Sequence, residues 1–476
     1  MYDILIVGAG IVGCFLAHDL SKKELKVAVF DREADVANKA TMANSAIIHS
    51  GHDPLDNTLK AKLNVRGNEM YESICKDLGV SFKRTSAFVA ATSMEEEDTL
   101  DMLYQQTKNR NIPVMYLTKE EAIKKEPNLS DHVTKVIELP TTGIVYPWEV
   151  AIALAEEASE NNVDFYLNEQ VEKIKKTQKG FEVITSKGNY EAKIIINAAG
   201  VCSDKIYGKV SSKVDFEITP RKGEYFVLDK LKKPLVSRVI YPVPSSAGKG
   251  VLVVPTTHGN VLLGPNSEMV DSGELNNNTK DSLDYVKKEI HKTVKNIPMD
   301  KVIHSFAGVR PTSTRHDFII EEAKDVTDFI NVAGIESPGL ASAPAISEYV
   351  INEILSKKIR MNEKNMYTKR RPNIKLKEMT EEEKNELVKK NPAFGKIVCR
   401  CEQITEGEII DAIRRPLGAT TVKGIKKRVR PGMGRCQGGF CEPLVVDILA
   451  RERKISPLEV RLDGDNSVML MEETKE

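Results

Sequence analysis

Four thiols stand close together near the end of this 476-residue chain. Cys399 and Cys401 are one residue apart in CRCEQITEGEII, and Cys436 and Cys441 follow in GRCQGGFC after 34 intervening residues. Clustered cysteines in a chain with few others point to a metal site. Structural zinc sites mostly use Cys-x2–4-Cys pairs, often with histidine, and no histidine lies between residues 399 and 441. Four thiolates suit a [2Fe–2S] cluster; zinc and free thiols are the alternatives. Cys14, Cys75 and Cys202 sit among apolar or small residues and read as small core side chains.

A second chemical signal lies at the other end. DILIVGAGIVGCFLAHDL, residues 3–20, reads as strand, tight turn and helix, with Gly8-x-Gly10-x-x-Gly13 at the turn. Gly8 permits the turn, Gly10 lets backbone approach a pyrophosphate, and Gly13 lets the helix lie close on the strand. The helix N-terminus offers N–H groups and a positive dipole end to phosphate. A second strand, KVAVFD, ends at Asp31, 23 residues after Gly8, where an acid accepts from ribose hydroxyls. The pattern predicts a dinucleotide site, and FAD and NAD share it.

Three further segments must build the rest of such a site. KIIINAAGVCSD (193–204) is a buried strand running into small residues; Glu169-Gln170-Val171 ends a strand-like stretch; INVAGIESPGLASAPAISEYVINEIL (330–355) reads as strand, glycine-containing turn and long helix. With NSAIIHSGHDP (44–54), GIVYP (143–147), NAAGVCSD (197–204), GVRP (308–311) and GIESPGLASAP (334–344), the chain resembles the D-amino-acid-oxidase-type FAD superfamily. Within it, the chain is similar to FAD-dependent glycerol-3-phosphate dehydrogenases of the anaerobic subunit-A type, with L-2-hydroxyglutarate oxidases as a sister family. The C-terminal segment, CRCEQITEGEIIDAIRR with TTVKGIKKRVRPGMGRCQGGFC, resembles the bacterioferritin-associated-ferredoxin-like [2Fe–2S] domain.

The resemblance implies an α/β architecture: a Rossmann-like FAD-binding domain, an inserted α+β substrate domain with an antiparallel sheet, and a small, mainly helical [2Fe–2S] domain. Residues 1–360 would be the oxidoreductase, with FAD-binding parts at about 1–85, 145–205 and 300–360 and substrate parts at about 86–144 and 206–299. A charged linker would occupy 361–395, the cluster domain 396–455 and a tail 456–476. In the second substrate part, His258-Gly259-Asn260 between apolar runs reads as a hairpin turn. Lys369-Arg370-Arg371 reads as a solvated linker patch, with docking to an acidic partner as the sharper reading.

The implied FAD-contacting residues are Gly8, Gly10, Gly13, Asp31, Ser45, Val171, Ala199, Gly200, Gly308, Gly334, Gly339 and Leu340. The implied substrate and catalytic residues are His49 beside the flavin, Arg310 and Arg315 at the anionic end of the substrate, and Lys222 with Tyr225 on the roofing sheet. Cys399, Cys401, Cys436 and Cys441 would hold the cluster. The expected reaction is oxidation of sn-glycerol 3-phosphate to dihydroxyacetone phosphate, with electrons leaving through the cluster to a protein or quinone-linked acceptor. A 2-hydroxy acid such as L-2-hydroxyglutarate is the alternative substrate. An electron-transfer adaptor without turnover and a peroxide-forming oxidase are alternatives of other kinds.

Composition sets outer limits. Apolar residues make up 41% and charged residues 29%, and Lys+Arg and Asp+Glu are both 69. Zero net charge argues against a general nucleic-acid binder. No apolar run reaches the ~18–20 residues of a membrane helix, and ILIVGAGIVGCFLA starts too near Met1 for a signal peptide's basic segment. A cytoplasmic location is expected, with a redox partner protein or subunit that would also supply any membrane attachment.

Overall fold

The computed structural model describes residues 1–244 and 250–473. Two large sheets organise the first 360 residues. The first has eight strands, and its centre is parallel: Phe329–Ala333, Asn189–Asn197, Tyr2–Val7, Val27–Phe30 and Asp164–Tyr166 lie side by side in that order. An antiparallel hairpin, Val171–Thr177 with Gly180–Thr185, extends one edge. The apolar run Ile4–Ile6 is buried on both faces, as a parallel sheet covered on each side requires. Ile4 and Ile6 pack into the core under the helices Ile11–Leu20, Leu59–Leu78, Pro147–Glu160 and Gly339–Tyr349, whereas Leu5 and Val7 pack into the core on the opposite face. This alternation is the period-2 side-chain pattern of a strand.

The second sheet has nine strands and is mostly antiparallel. Its longest pair joins Ile218–Leu228 to Val302–Ser313. The expected hairpin is present: Leu252–Pro255 pairs with Val261–Gly264, and the Thr256 N–H donates to the Asn260 carbonyl at 2.9 Å. Val302–Ser313 falls within the 300–360 part assigned from sequence to the nucleotide-binding region, yet it runs the length of Ile218–Leu228 in this second sheet. GVRP offers no local sign of which sheet it joins, because pairing partners are set by tertiary contacts.

The C-terminal region folds around its own small core, with a two-stranded sheet (Ile397–Cys399 with Ile404–Thr405) and the helices Glu406–Arg414, Val422–Val429 and Glu442–Arg453. Thr405 and Glu408 form a reciprocal capping box at the first of these helices.

The linker reading needs correction. Glu381–Lys390 is a solvated helix as expected, but Arg370 is buried, pairing with Glu156 at 2.8 Å and donating to the Leu78 carbonyl at 2.6 Å. Arg415 of the C-terminal region meets the same carboxylate at 3.1 Å. A buried acid on Pro147–Glu160 needs cationic partners, and it recruits one from the linker and one from beyond it. The tail also differs from the sequence reading: the Val422 and Lys423 N–H groups donate to the carbonyls of Arg461 and Leu462, so chain past 456 packs back onto the cluster domain. Residues 474–476 of that tail lie outside the described residues. Among the described residues, no helix is long and apolar enough to cross a membrane.

Candidate functional site

A cavity of about 1610 Å³ lies between the two large sheets. Its dinucleotide end is built from the first turn. Gly8 has φ +110°, and a Cβ there would sit 2.4 Å from the Ala198 carbonyl oxygen. The Gly8 loop therefore crosses the Ala198–Gly200 loop at backbone contact, which only glycine permits. A Cβ on Gly13 would sit 1.9 Å from the Gly8 carbonyl oxygen, so Gly13 serves helix packing and is not part of the lining. Gly10 does line the cavity, with only Thr41 Oγ1 near its missing Cβ, at 3.4 Å. Such an opening in the backbone suits an approaching pyrophosphate.

Asp31 lines the same end. Its carboxylate accepts from the Ala9 N–H at 2.7 Å and the Glu33 N–H at 2.9 Å, and burial pushes its carboxyl above the usual range. Ser45, Val171, Ala199, Gly200, Gly308, Gly339 and Leu340 also line the cavity. Gly339 begins the helix Gly339–Tyr349, so a positive helix end faces the space. Gly334 does not line it; it is a turn residue at φ +65° whose Cβ would meet Ser313 Cβ at 2.8 Å. These glycines, the acid and the helix terminus fit a bound FAD.

The other end carries polar side chains from the second sheet and from the loop after Ile47–Ile48. His49 Nδ1 lies 2.9 Å from the Tyr241 hydroxyl, and burial holds that phenol well above its usual pKa, so it stays neutral. Tyr225 is buried, lies 3.1 Å from Ser45 Oγ, and stacks on Phe306 at 4.6 Å. Arg310 lines the cavity and donates to the Asn266 carbonyl at 3.2 Å.

Lys222 does not reach this space. It is buried on the opposite face of its strand, 2.8 Å from Glu224 and 3.6 Å from Glu268. Its neighbour Arg221 lines the cavity instead, with one guanidinium nitrogen 3.2 Å from Ser267 Oγ. The strand's alternation explains the difference: Arg221, Gly223 and Tyr225 share one face, and Lys222 and Glu224 share the other. Because Tyr225 and Lys222 are three apart on one strand, they cannot both face the cavity, a signal that was present in RKGEYF. Arg315 is likewise elsewhere, held by Glu321 at 2.7 Å and Asp215 at 2.6 Å, and it is not part of the lining. Its loop turns it toward two carboxylates that are distant in sequence or follow it.

Arg221 and Arg310 are register partners across the long strand pair. Like charges directly opposite on antiparallel strands repel. Among the described residues, neither guanidinium has a carboxylate within 4.0 Å, and the Arg221 Nε is buried without a hydrogen-bond partner. Arg310 is within electrostatic reach of Glu336, a carboxylate already engaged by Lys60 and Thr312, so the two facing cations have no direct ion pair and favour an anion in the cavity.

The four C-terminal thiols come together as two pairs. Cys401 and Cys436 have their sulfurs 3.8 Å apart, and Cys399 and Cys441 are in side-chain contact. Two thiolates on one tetrahedral metal with ~2.3 Å bonds lie about 3.8 Å apart, so a pair for each iron fits a binuclear cluster. Cys399 and Cys441 are buried, whereas Cys401 is exposed. Burial and the adjacent Cys399 push the Cys441 thiol up to about 12. Against the desolvation of its own site, the Gly438 N–H and the Cys401 thiol hold the Cys436 thiol below its usual value. A Cβ on Gly434 would sit 2.3 Å from Cys401 Cβ, so the GMGRCQGGFC glycines let the two cysteine loops close on each other.

Comparison with known proteins agrees with both cofactor assignments. The FAD dependent oxidoreductase family model matches residues 3–353, and the BFD-like [2Fe-2S] binding domain model matches residues 397–451. The chain is 49% identical to a glycerol 3-phosphate dehydrogenase of Caloramator mitchellensis, over 100% of this chain and 99% of that protein. It is 32% identical to a glycerol 3-phosphate oxidase of Mycoplasma genitalium, over 76% of this chain and 97% of the other. Among solved structures, the dithionite-reduced L-alpha-glycerophosphate oxidase of Mycoplasma pneumoniae with FAD bound superposes with TM-score 0.74 at 30% identity, covering 78% of this chain and 98% of that one.

Proposed function

The chain belongs to the FAD dependent oxidoreductase family and carries a BFD-like [2Fe–2S] domain, and from that premise we propose that it oxidises sn-glycerol 3-phosphate to dihydroxyacetone phosphate and passes the electrons through the cluster to a one-electron partner. The observation that carries the substrate is the facing pair Arg221 and Arg310. A phosphate dianion calls for several positive groups, and this pair presents two cations on one wall of the cavity.

When bound, FAD supplies a two-electron acceptor for the hydride leaving the alcohol carbon, and [2Fe–2S] supplies one-electron carriage. The chain's own residues orient the substrate and handle the proton. Arg221 and Arg310 hold the phosphate, and Asn266, whose carbonyl meets Arg310, fixes the fork. His49, whose Nδ1 lies within hydrogen-bond distance of the Tyr241 hydroxyl, takes the hydroxyl proton on its imidazole. Tyr225, anchored by Ser45 and Phe306, positions the hydroxyl. Gly8, Gly10, Asp31, Ala199 and Gly200 would hold the adenosine diphosphate end of FAD, and the helix N-terminus at Gly339 would favour negative charge on the reduced ring. Cys399, Cys401, Cys436 and Cys441 hold the cluster. Cys401 is exposed, and Phe440, whose backbone N–H meets Cys436, is 84% exposed; this side offers the exit to the partner.

The test is an anaerobic absorbance titration of cluster-containing protein. Glycerol 3-phosphate should bleach the flavin band and L-2-hydroxyglutarate should not; the reverse would move the assignment to 2-hydroxy acids. The corrected face of the roofing strand yields a second expectation. Lys222→Met should leave the KM for glycerol 3-phosphate within about twofold, because Lys222 contributes no uniform binding to the substrate. A tenfold rise in KM would put Lys222 back in the pocket.

A further inference from the structure

We propose that the C-terminal domain is part of the FAD site: Lys427 and Arg428, on the helix Val422–Val429, are positioning residues that hold segment 31–41 in the shape the adenosine diphosphate half of FAD requires. The inference rests on the flavin assignment and not on the identity of the substrate.

One side of this segment faces the cavity through Asp31, Glu33 and Thr41. The other side is gripped from nearly 400 residues away in sequence. Arg428 donates twice to Asp35, at 2.6 and 3.0 Å. Lys427 donates to the Val36 carbonyl at 2.7 Å and to Asn38 Oδ1 at 2.6 Å, and lies 3.0 Å from Asp35. Asn38 in turn donates to Asp463 at 2.7 Å. Asp35, Lys427 and Arg428 are 5%, 2% and 6% exposed. Although burial works against it, Arg428 and Lys427 hold the Asp35 carboxyl down at about 2. These contacts are charge-assisted and desolvated, the strongest kind of polar anchor.

The anchor acts on a strained bend. Ala37 has φ +60°, in the left-handed region that costs a non-glycine residue energy. Its N–H donates at 2.9 Å to the carbonyl of Ala9, between Gly8 and Gly10. Thr41, further along, accepts from the Ile11 N–H at 2.9 Å. The bend and the nucleotide turn are therefore one hydrogen-bonded unit. Strained backbone persists only where its surroundings over-determine it, and here Lys427 and Arg428 do so from behind.

The experiment uses the full-length, cluster-containing protein with Arg428→Met, Arg428→Lys and Lys427→Met. FAD dissociation constants, iron content and the Tm of the FAD-free protein are measured together. Arg428→Met should weaken FAD binding by roughly 5- to 150-fold, the range of a site-to-site coupling. Arg428→Lys should recover part of that loss; iron content should stay near that of the parent, and the FAD-free Tm should fall, because a buried partner of Asp35 is lost, but in a single transition and with iron retained. Lys427→Met, which leaves Asp35 neutralised, serves if Arg428→Met does not fold, and should show the same loss more mildly. FAD affinity within twofold of the parent in both methionine variants would overturn the proposal. So would a loss of FAD accompanied by equal losses of iron and FAD-free stability, because that is general unfolding.

Discussion

Arg310→Ala should lower kcat/KM for glycerol 3-phosphate by roughly 10- to 150-fold, the worth of a charge-assisted hydrogen bond of about 1.5–3 kcal/mol. Arg221→Ala should have an effect of the same order, although only Arg310 carries a sequence motif. In the proposed anion site both guanidinium groups act together, so the double variant should lose less than the product of the single losses. Stability should move the other way. Removing one of two like charges directly opposite on adjacent strands relieves repulsion, so the substrate-free Tm should hold or rise in each single variant. Steady-state kinetics with calorimetry on the same preparations checks this. Unchanged kinetics for Arg221→Ala would remove it from the pocket and leave Arg310 as a lone cation, which suits a carboxylate better than a phosphate dianion.

Cys436→Ser should abolish the iron–sulfur absorbance while FAD stays bound and is still bleached by substrate. Cys436 provides one half of the outer thiol pair, 3.8 Å from Cys401, and a serine oxygen does not replace a thiolate for iron. Turnover with a one-electron protein acceptor should fall to background, whereas turnover with a small two-electron dye should persist. FAD should remain because the cluster domain is attached by groups other than its cysteines: Arg428 to Asp35, Arg415 to Glu156, and Lys230 to Glu402 at 2.7 Å. Absorbance spectra, iron analysis and the two assays read these outcomes separately. Full turnover with the protein acceptor after loss of the iron signal would mean that electrons leave the flavin directly.

Both sites could be read in the sequence where their parts are neighbours along the chain. Gly8, Gly10 and Gly13 fall within one strand–turn–helix, so spacing alone defines what each glycine does. Cys399 with Cys401 and Cys436 with Cys441 are likewise local pairs whose thiol chemistry is legible without a fold. Residue choice failed where it depended on which way a side chain points. Arg221 and Lys222 are adjacent cations, and a one-residue change of phase on a strand reverses the face. Arg315 looked like a substrate contact and Arg370 like a solvated linker cation because their carboxylate partners, Asp215 and Glu156, are 100 or more residues away.

The sequence by itself determined the two cofactor-binding patterns, because turns, helix starts and thiol pairs are set by backbone geometry over a few residues. Only the tertiary structure decided that Arg221 faces Arg310, that the thiols divide into a buried pair and a pair nearer the surface, and that Arg428 closes on Asp35. Each of those arrangements depends on burial and charge pairing between distant segments. Charges leave water only where a specific partner is waiting, and chain order does not say where that will be.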